Sequence, residues 1–234
     1  MLLSTPGLVL HTTPYGEASV VAKVFTRQLG VRSYLVKGVR TAKGRVKQNL
    51  LQPLSAIDMV VYDNTKQELN YIKELASRRP VPPADAVGNA LRFFTTEVLY
   101  RALREEEPLP DLFDYVDEAA GCMTDSASHP RSHLPINFLL TVARHLGIEP
   151  LDNYTVREPL FDLQEGRYVG VPTETTLPPA LSALLHEYLS SSSFPPSTLN
   201  ERRSLIDALI AYYQMHLSGF HNFHSHEILH TILK

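Results

Sequence analysis

Along the first eighty residues, hydrophobic and polar positions alternate in short stretches with period two. Gly7–Thr12 is a β-branched and apolar run ending at the turn Pro14-Tyr15-Gly16. Ser19–Phe25 sets Val20, Ala22 and Val24 on one side against Ser19, Val21, Lys23 and Phe25 on the other, the alternation of a strand. Gly30 marks a turn, and Val31–Val36 resumes the pattern with Arg32, Tyr34 and Val36 sharing a side. Leu54–Tyr62 and Glu68–Leu75 predict two more strands across the connection Asp63-Asn64-Thr65-Lys66. Five closely spaced strands with one longer connection, Gly38 to Asn49, predict a small closed barrel of the OB type, with an SH3-like barrel as the competing arrangement.

Pro80, Pro82 and Pro83 interrupt the chain, and beyond them the period becomes helical. This predicts a boundary between a barrel domain, 1–80, and a helical domain, 81–234. Val87, Leu91, Phe94, Val98 and Leu99 mark one helical face, continuing to about Glu106. Further helices are predicted over Pro110–Met123, Leu134–Leu146 (closed by Gly147), Pro178–Leu189, Asn200–Leu217 and His224–Leu233. Tyr154–Pro172 breaks the helical period. Its Leu160-Phe161-Asp162-Leu163, Glu165-Gly166 and Arg167–Val171 segments predict a small inserted hairpin or an irregular stretch. The fold class is therefore α+β.

Charge sharpens this division. Net charge is −3, yet residues 1–83 carry twelve Lys/Arg against five Asp/Glu, and the remainder ten against twenty. From residue 18 to residue 57 there is no acidic side chain, while Lys23, Arg27, Arg32, Lys37, Arg40, Lys43, Arg45 and Lys47 supply eight cations. Such a one-signed stretch repels itself, and a polyanion relieves the repulsion. Single-strand binders combine a cationic groove with aromatic platforms, and Tyr15, Phe25, Tyr34, Tyr62 and Tyr71 lie on or beside the basic strands. The same rings are also the natural filling of a small barrel. Lys37–Lys47, with two glycines and five cations, reads as a loop able to follow a phosphate backbone.

Other chemistry finds little support. Neither a GxxxxGK[ST] nor a GxGxxG phosphate loop occurs, and there is no GxSxG elbow, so no enzymatic activity is expected. His216, His221, His224, His226 and His230 cluster near the C-terminus, and His226 and His230 are one helical turn apart. They lack the companion ligands a structural zinc needs, so no metal or other cofactor is expected. Glu105–Glu107 reads as a solvated helix terminus. Cys122 is the only cysteine, which excludes an intrachain disulfide and points to a reducing compartment. With no signal-like opening and no run of about 18 apolar residues, the expectation is a cytoplasmic protein with no membrane partner.

Several short motifs occur together in a telling order: Gly7–Leu10, Pro14–Glu17, Phe25–Arg27 with Gly30, Lys37–Arg40 and Leu51–Leu54. Near the other end stands Tyr213–Phe220, followed by Ser225 and Leu229. In this combination the chain resembles the RecO family of bacterial DNA repair proteins over nearly its whole length. The resemblance implies an OB-fold followed by a helical domain, without catalytic turnover. It also implies binding of single- and double-stranded DNA, annealing of complementary strands, and work with RecR to help RecA displace single-strand-binding protein, whose C-terminal tail docks on the helical domain. On this reading the protein sits with the nucleoid in the cytoplasm. DNA contact is expected at Lys23, Arg27, Arg32, Lys37, Arg40, Lys43, Arg45 and Lys47, with Tyr34 as a candidate stacker. Arg202 and Arg203 are candidates for the tail. Many relatives carry a four-cysteine zinc motif where Tyr154–Pro172 stands here. This segment has no cysteine, so zinc is not carried over, and packing of Leu160, Phe161, Leu163 and Tyr168 is expected to hold it. A scaffold that binds an acidic protein tail and an RNA-binding OB module are the alternative functions.

Overall fold

A computed structural model describes residues 2–39, 48–62, 69–79, 85–123, 131–191 and 193–233. Its first five strands are β1 (Leu2–Tyr15), β2 (Ser19–Thr26), β3 (Gly30–Val36), β4 (Ala56–Tyr62) and β5 (Leu69–Ser77). They close in the order β1-β2-β3-β5-β4 and back to β1. The β3–β5 pair is parallel, through Ser33–Leu69, Tyr34–Asn70 and Leu35–Tyr71, and the other four pairs are antiparallel. A simple meander cannot produce that parallel closure, so the barrel is OB-like. Side chains that alternation groups on one side of β2 and β3 fill it: Val20, Ala22, Val24, Tyr34 and Val36 pack with Val9, Ile57, Met59 and Val61.

Six helices follow among the described residues: α1 (Ala86–Ala102), α2 (Pro110–Cys122), α3 (Leu134–His145), α4 (Pro179–Ser190), α5 (Leu199–His216) and α6 (Ser225–Ile232). Two compact units result, Met1–Asp125 and Ser126–Lys234. Helices α1 and α2 thus belong with the barrel, whereas the proline punctuation and charge change suggest a division at residue 80. The reason is apolar. Phe25 points outward from β2 onto Phe113 of α2, edge to face at 5.5 Å, and both rings are fully buried. The Met1–Asp125 unit contains fifteen Lys/Arg and fifteen Asp/Glu, so it is neutral as a whole.

Helix α1 stops four residues short of the expected Glu106. Leu103 takes an extended backbone while its N–H bonds Leu99 O. Glu105 then pairs in parallel with Val31, the Glu106 N–H donates to Val31 O at 3.1 Å, and Glu106 adopts φ 64°. The segment 103–107 is a strap lying on β3, not a frayed helix end. Gly30, with φ +66°, sits directly beneath it, and a Cβ there would lie 2.4 Å from Glu107 O.

In the second unit, β6 (Leu160–Asp162) and β7 (Arg167–Val169) form the inserted hairpin. Phe161 and Tyr168 are fully buried and meet edge to face at 5.1 Å. Packing is only part of its support. The Asp162 carboxylate, itself 1 % exposed, accepts from the Gln164 and Glu165 N–H groups at 2.9 Å and from the Thr173 and Thr175 hydroxyls. Burial pushes this carboxyl up, but hydrogen bonds from Thr173, Glu165, Thr175 and Gln164 outweigh it and hold the group below the ordinary aspartate range.

Two outcomes are expected. Gly30→Ala must shift the strap and hold alanine at positive φ, lowering stability by roughly 2 kcal/mol in denaturant unfolding; an unchanged midpoint would contradict the docked strap. For Asp162 the folded-state pKa lies below the unfolded value. Its stabilisation is therefore complete above the ordinary carboxylate range and is lost as pH falls through and below it. Asp162→Asn should be less stable at neutral pH and show a shallower loss of thermal stability between about pH 5 and pH 3. Parallel acid limbs in the two proteins would count against this role.

Candidate nucleic-acid interface

Three of the cations expected on DNA are matched with carboxylates that follow the barrel in sequence. Lys23 Nζ lies 2.8 Å from Glu105 Oε1 and 4.7 Å from the centre of the Tyr100 ring. Arg27 grips Asp114 of α2 with two parallel bonds, Nε to Oδ1 and Nη2 to Oδ2, each 2.8 Å. That fork holds the Asp114 carboxyl below its ordinary range. Arg32 is only 7 % exposed and lies 3.9 Å from Glu106 Oε1, with Nε donating to Leu29 O at 3.4 Å. At the end of β5, Arg78 and Arg79 both reach Asp117 of α2. Over β2 and β3, Lys23, Arg27 and Arg32 thus face the acidic strap and α2.

Tyr34 is corrected. It is 1 % exposed, on the inner side of β3, because its register partner Ala22 leaves room for a large ring in the core. Phe25 is buried as well, whereas Tyr15, Tyr62 and Tyr71 are exposed. Arg40, Lys43, Arg45 and Lys47 fall outside the described residues.

Lys37 is exposed and opens onto a cleft of about 420 Å³ lined by Leu35, Lys37, Tyr62, Tyr71, Ile72 and Lys73, among others. Tyr62 (48 % exposed) and Tyr71 (42 %) are direct cross-strand partners in β4 and β5, so their side chains leave the same face of the sheet. Leu35 of β3 is the next partner in that row. Lys37 Nζ stands 5.2 Å from the centre of the Tyr71 ring, and Lys73 lies 3.6 Å from Glu74. Two half-exposed phenols flanked by lysines, over an apolar floor, can take planar groups that carry negative charge. Sequence pattern points to both tyrosines but not to Lys73, which lies outside the acid-free stretch.

In the second unit, Arg202 donates to Ser197 O, and Arg203 donates to His230 O and Leu233 O, bracing helix ends. His226 and His230 share α6, with ring centres 5.8 Å apart, and Asp207 of α5 comes within 3.5 Å of His230 Nε2. Sequence spacing did not reveal that carboxylate. Burial lowers the His230 pKa and raises that of Asp207. Among the described residues no group of three or more His, Cys, Asp or Glu is arranged to hold a metal. Nor does the hairpin fit a zinc, since its central carboxylate is occupied by hydroxyl and amide donors.

The family model for the N-terminal domain of recombination protein O matches residues 1–80. A DNA repair protein RecO from Phocaeicola vulgatus is 32 % identical over 231 residues, covering 94 % of each chain. The chain belongs to the RecO family. Proteins of the same name from Bacteroides fragilis and Christiangramia forsetii are 29 % identical over 230 residues and 25 % over 241, the latter spanning 99 % of both chains. RecO membership gives the chain a role in DNA repair and recombination and agrees with its OB-like barrel. Among the described residues no helix is long and apolar enough to cross a membrane.

If the matched cations are structural and the cleft meets DNA, the two sets separate in titration. Lys23→Ala and Arg27→Ala should leave single-strand affinity within about twofold, whereas Lys37→Glu should lower it at least about fivefold at low salt. Fluorescence anisotropy with a labelled oligonucleotide reads both; a larger loss from Arg27→Ala than from Lys37→Glu would reverse the assignment.

Proposed function

We propose that this chain is a recombination mediator that binds single- and double-stranded DNA through its barrel and promotes annealing of complementary strands, without catalytic turnover. The observation that carries the reading is the lysine-flanked tyrosine cleft on an OB-like barrel in a RecO-family chain. Lys37 and Lys73 stand at the cleft. In sequence, Lys37 leads directly into Arg40, Lys43, Arg45 and Lys47, which extend the contact along the phosphates. Annealing follows from charge: two polyanions approach only when cations screen them, and the protein supplies those cations.

The proposed protein partners are RecR, the C-terminal tail of single-strand-binding protein and, through them, RecA. The working compartment is the cytoplasm, with the nucleoid. Within this reading the neutral balance of the Met1–Asp125 unit matters, because attraction to DNA then depends on a local group of cations and not on overall charge.

The test is a strand-annealing assay with and without single-strand-binding protein, alongside a salt titration of binding. About five phosphate contacts with a slope near −0.7 each lower single-strand affinity roughly a hundredfold between about 50 and 200 mM salt. A slope near zero with no annealing would favour an interaction scaffold. Preference for RNA over DNA of the same sequence would favour an RNA-binding module.

A further inference from the structure

We infer that Tyr62 and Tyr71 form a base-stacking platform that makes the cleft selective for single strands and releases them once they are paired. The inference rests on the barrel being the DNA-binding face. Its own support is the contrast among the tyrosines of the barrel. Tyr34 is sealed in the core, whereas Tyr62 and Tyr71 are each about half exposed, although both stand in paired strands. As direct cross-strand neighbours their Cβ atoms are about 5 Å apart, so both side chains leave the same face of a rigid sheet, where each ring can take a base.

Base stacking is favourable for every base, but a base offers a free face only when it is unpaired. The Lys37 ammonium over Tyr71 marks the negative ring face as a place that attracts cations in the free protein. Its four-carbon stem lets the charge swing to a phosphate when a base takes that place. Leu35 and Ile72 line the cleft, and Lys73, paired with Glu74 at 3.6 Å across exposed side chains, lies at its edge.

Release follows from the same chemistry. While a strand is single, phosphate attraction and stacking both hold it. When its complement pairs, the bases restack in the duplex and leave the tyrosines, while the phosphates keep their charge. Affinity therefore falls by the stacking part alone, so a duplex departs where a single strand stays.

Tyr62→Ala and Tyr71→Ala are tested on a single-stranded oligonucleotide and on the matching duplex, with thermal unfolding as a check on folding. Each should weaken single-strand binding about tenfold and duplex binding less than about twofold. Tyr62→Phe and Tyr71→Phe, which keep the ring, should bind nearly as the unmodified chain does. Equal losses on both substrates, no loss on either, or phenylalanine variants as weak as the alanine variants would each overturn the platform. Lys37→Glu with Lys73→Glu separates stacking from binding at this face. If this pair weakens both substrates while the alanine variants show no selectivity, only the stacking role fails. If it weakens neither, the barrel face itself is wrong.

Discussion

The charges along β2, β3 and the end of β5 are set by where the carboxylates of residues 105–117 come to rest. The strap lies along β3 because Gly30 leaves room for the Glu107 backbone and because Val31 and Glu106 share a hydrogen bond. Once it is there, Glu105 meets Lys23 and Glu106 meets Arg32. The Phe25–Phe113 contact then seats α2 so that Asp114 receives both arms of Arg27 and Asp117 receives Arg78 and Arg79. Exposed ion pairs contribute little stability each. The buried aromatic contact and the backbone pairing supply the driving force, and the charges give the docking its register.

Among the described residues, this arrangement separates cations held against carboxylates from Lys37, which stands over a tyrosine ring. The β1–β2 side is covered by α1 and α2, leaving the β3–β5–β4 side, where the row Leu35, Tyr71, Tyr62 opens as a cleft edged by Lys37 and Lys73. An apolar floor with two half-exposed rings is a poor surface for water and a good one for a planar ligand. The same sheet that buries Tyr34 inward displays its neighbour in sequence, Leu35, outward, so one strand serves core and cleft with alternate residues.

Much of this was readable from the sequence. Period-two alternation located β2 and β3, and the sets Val20, Ala22, Val24 and Arg32, Tyr34, Val36 do share a side, each residue of one set pairing with one of the other. The helices matched closely in position, α1's early end apart, because their apolar periods are strong. What alternation cannot supply is pairing across long separations. The parallel β3–β5 closure, which distinguishes an OB-like barrel from an SH3-like one, is such a case. The meeting of Arg27 with Asp114, eighty-seven residues apart, is another. An acid-free run therefore looked like a binding face when part of it is a docking face. Tyr34 looked like a stacker because its ring could not be assigned an inside or an outside from type alone. At the hairpin, apolar residues pointed to packing, while the buried Asp162 passed unnoticed because a single aspartate in a turn carries no signal of how many donors converge on it.

In the proposed function DNA meets the β4–β5 side of the barrel while the β2–α2 ion pairs stay closed. Backbone hydrogen exchange with and without a saturating single-stranded oligonucleotide tests it directly, since each segment reports its own protection. Added protection is expected in peptides spanning 35–39, 60–62 and 69–73, with 23–32 and 110–117 unchanged. Protection over 23–32 accompanied by faster exchange in 110–117 would show that DNA displaces the carboxylates, and would contradict it.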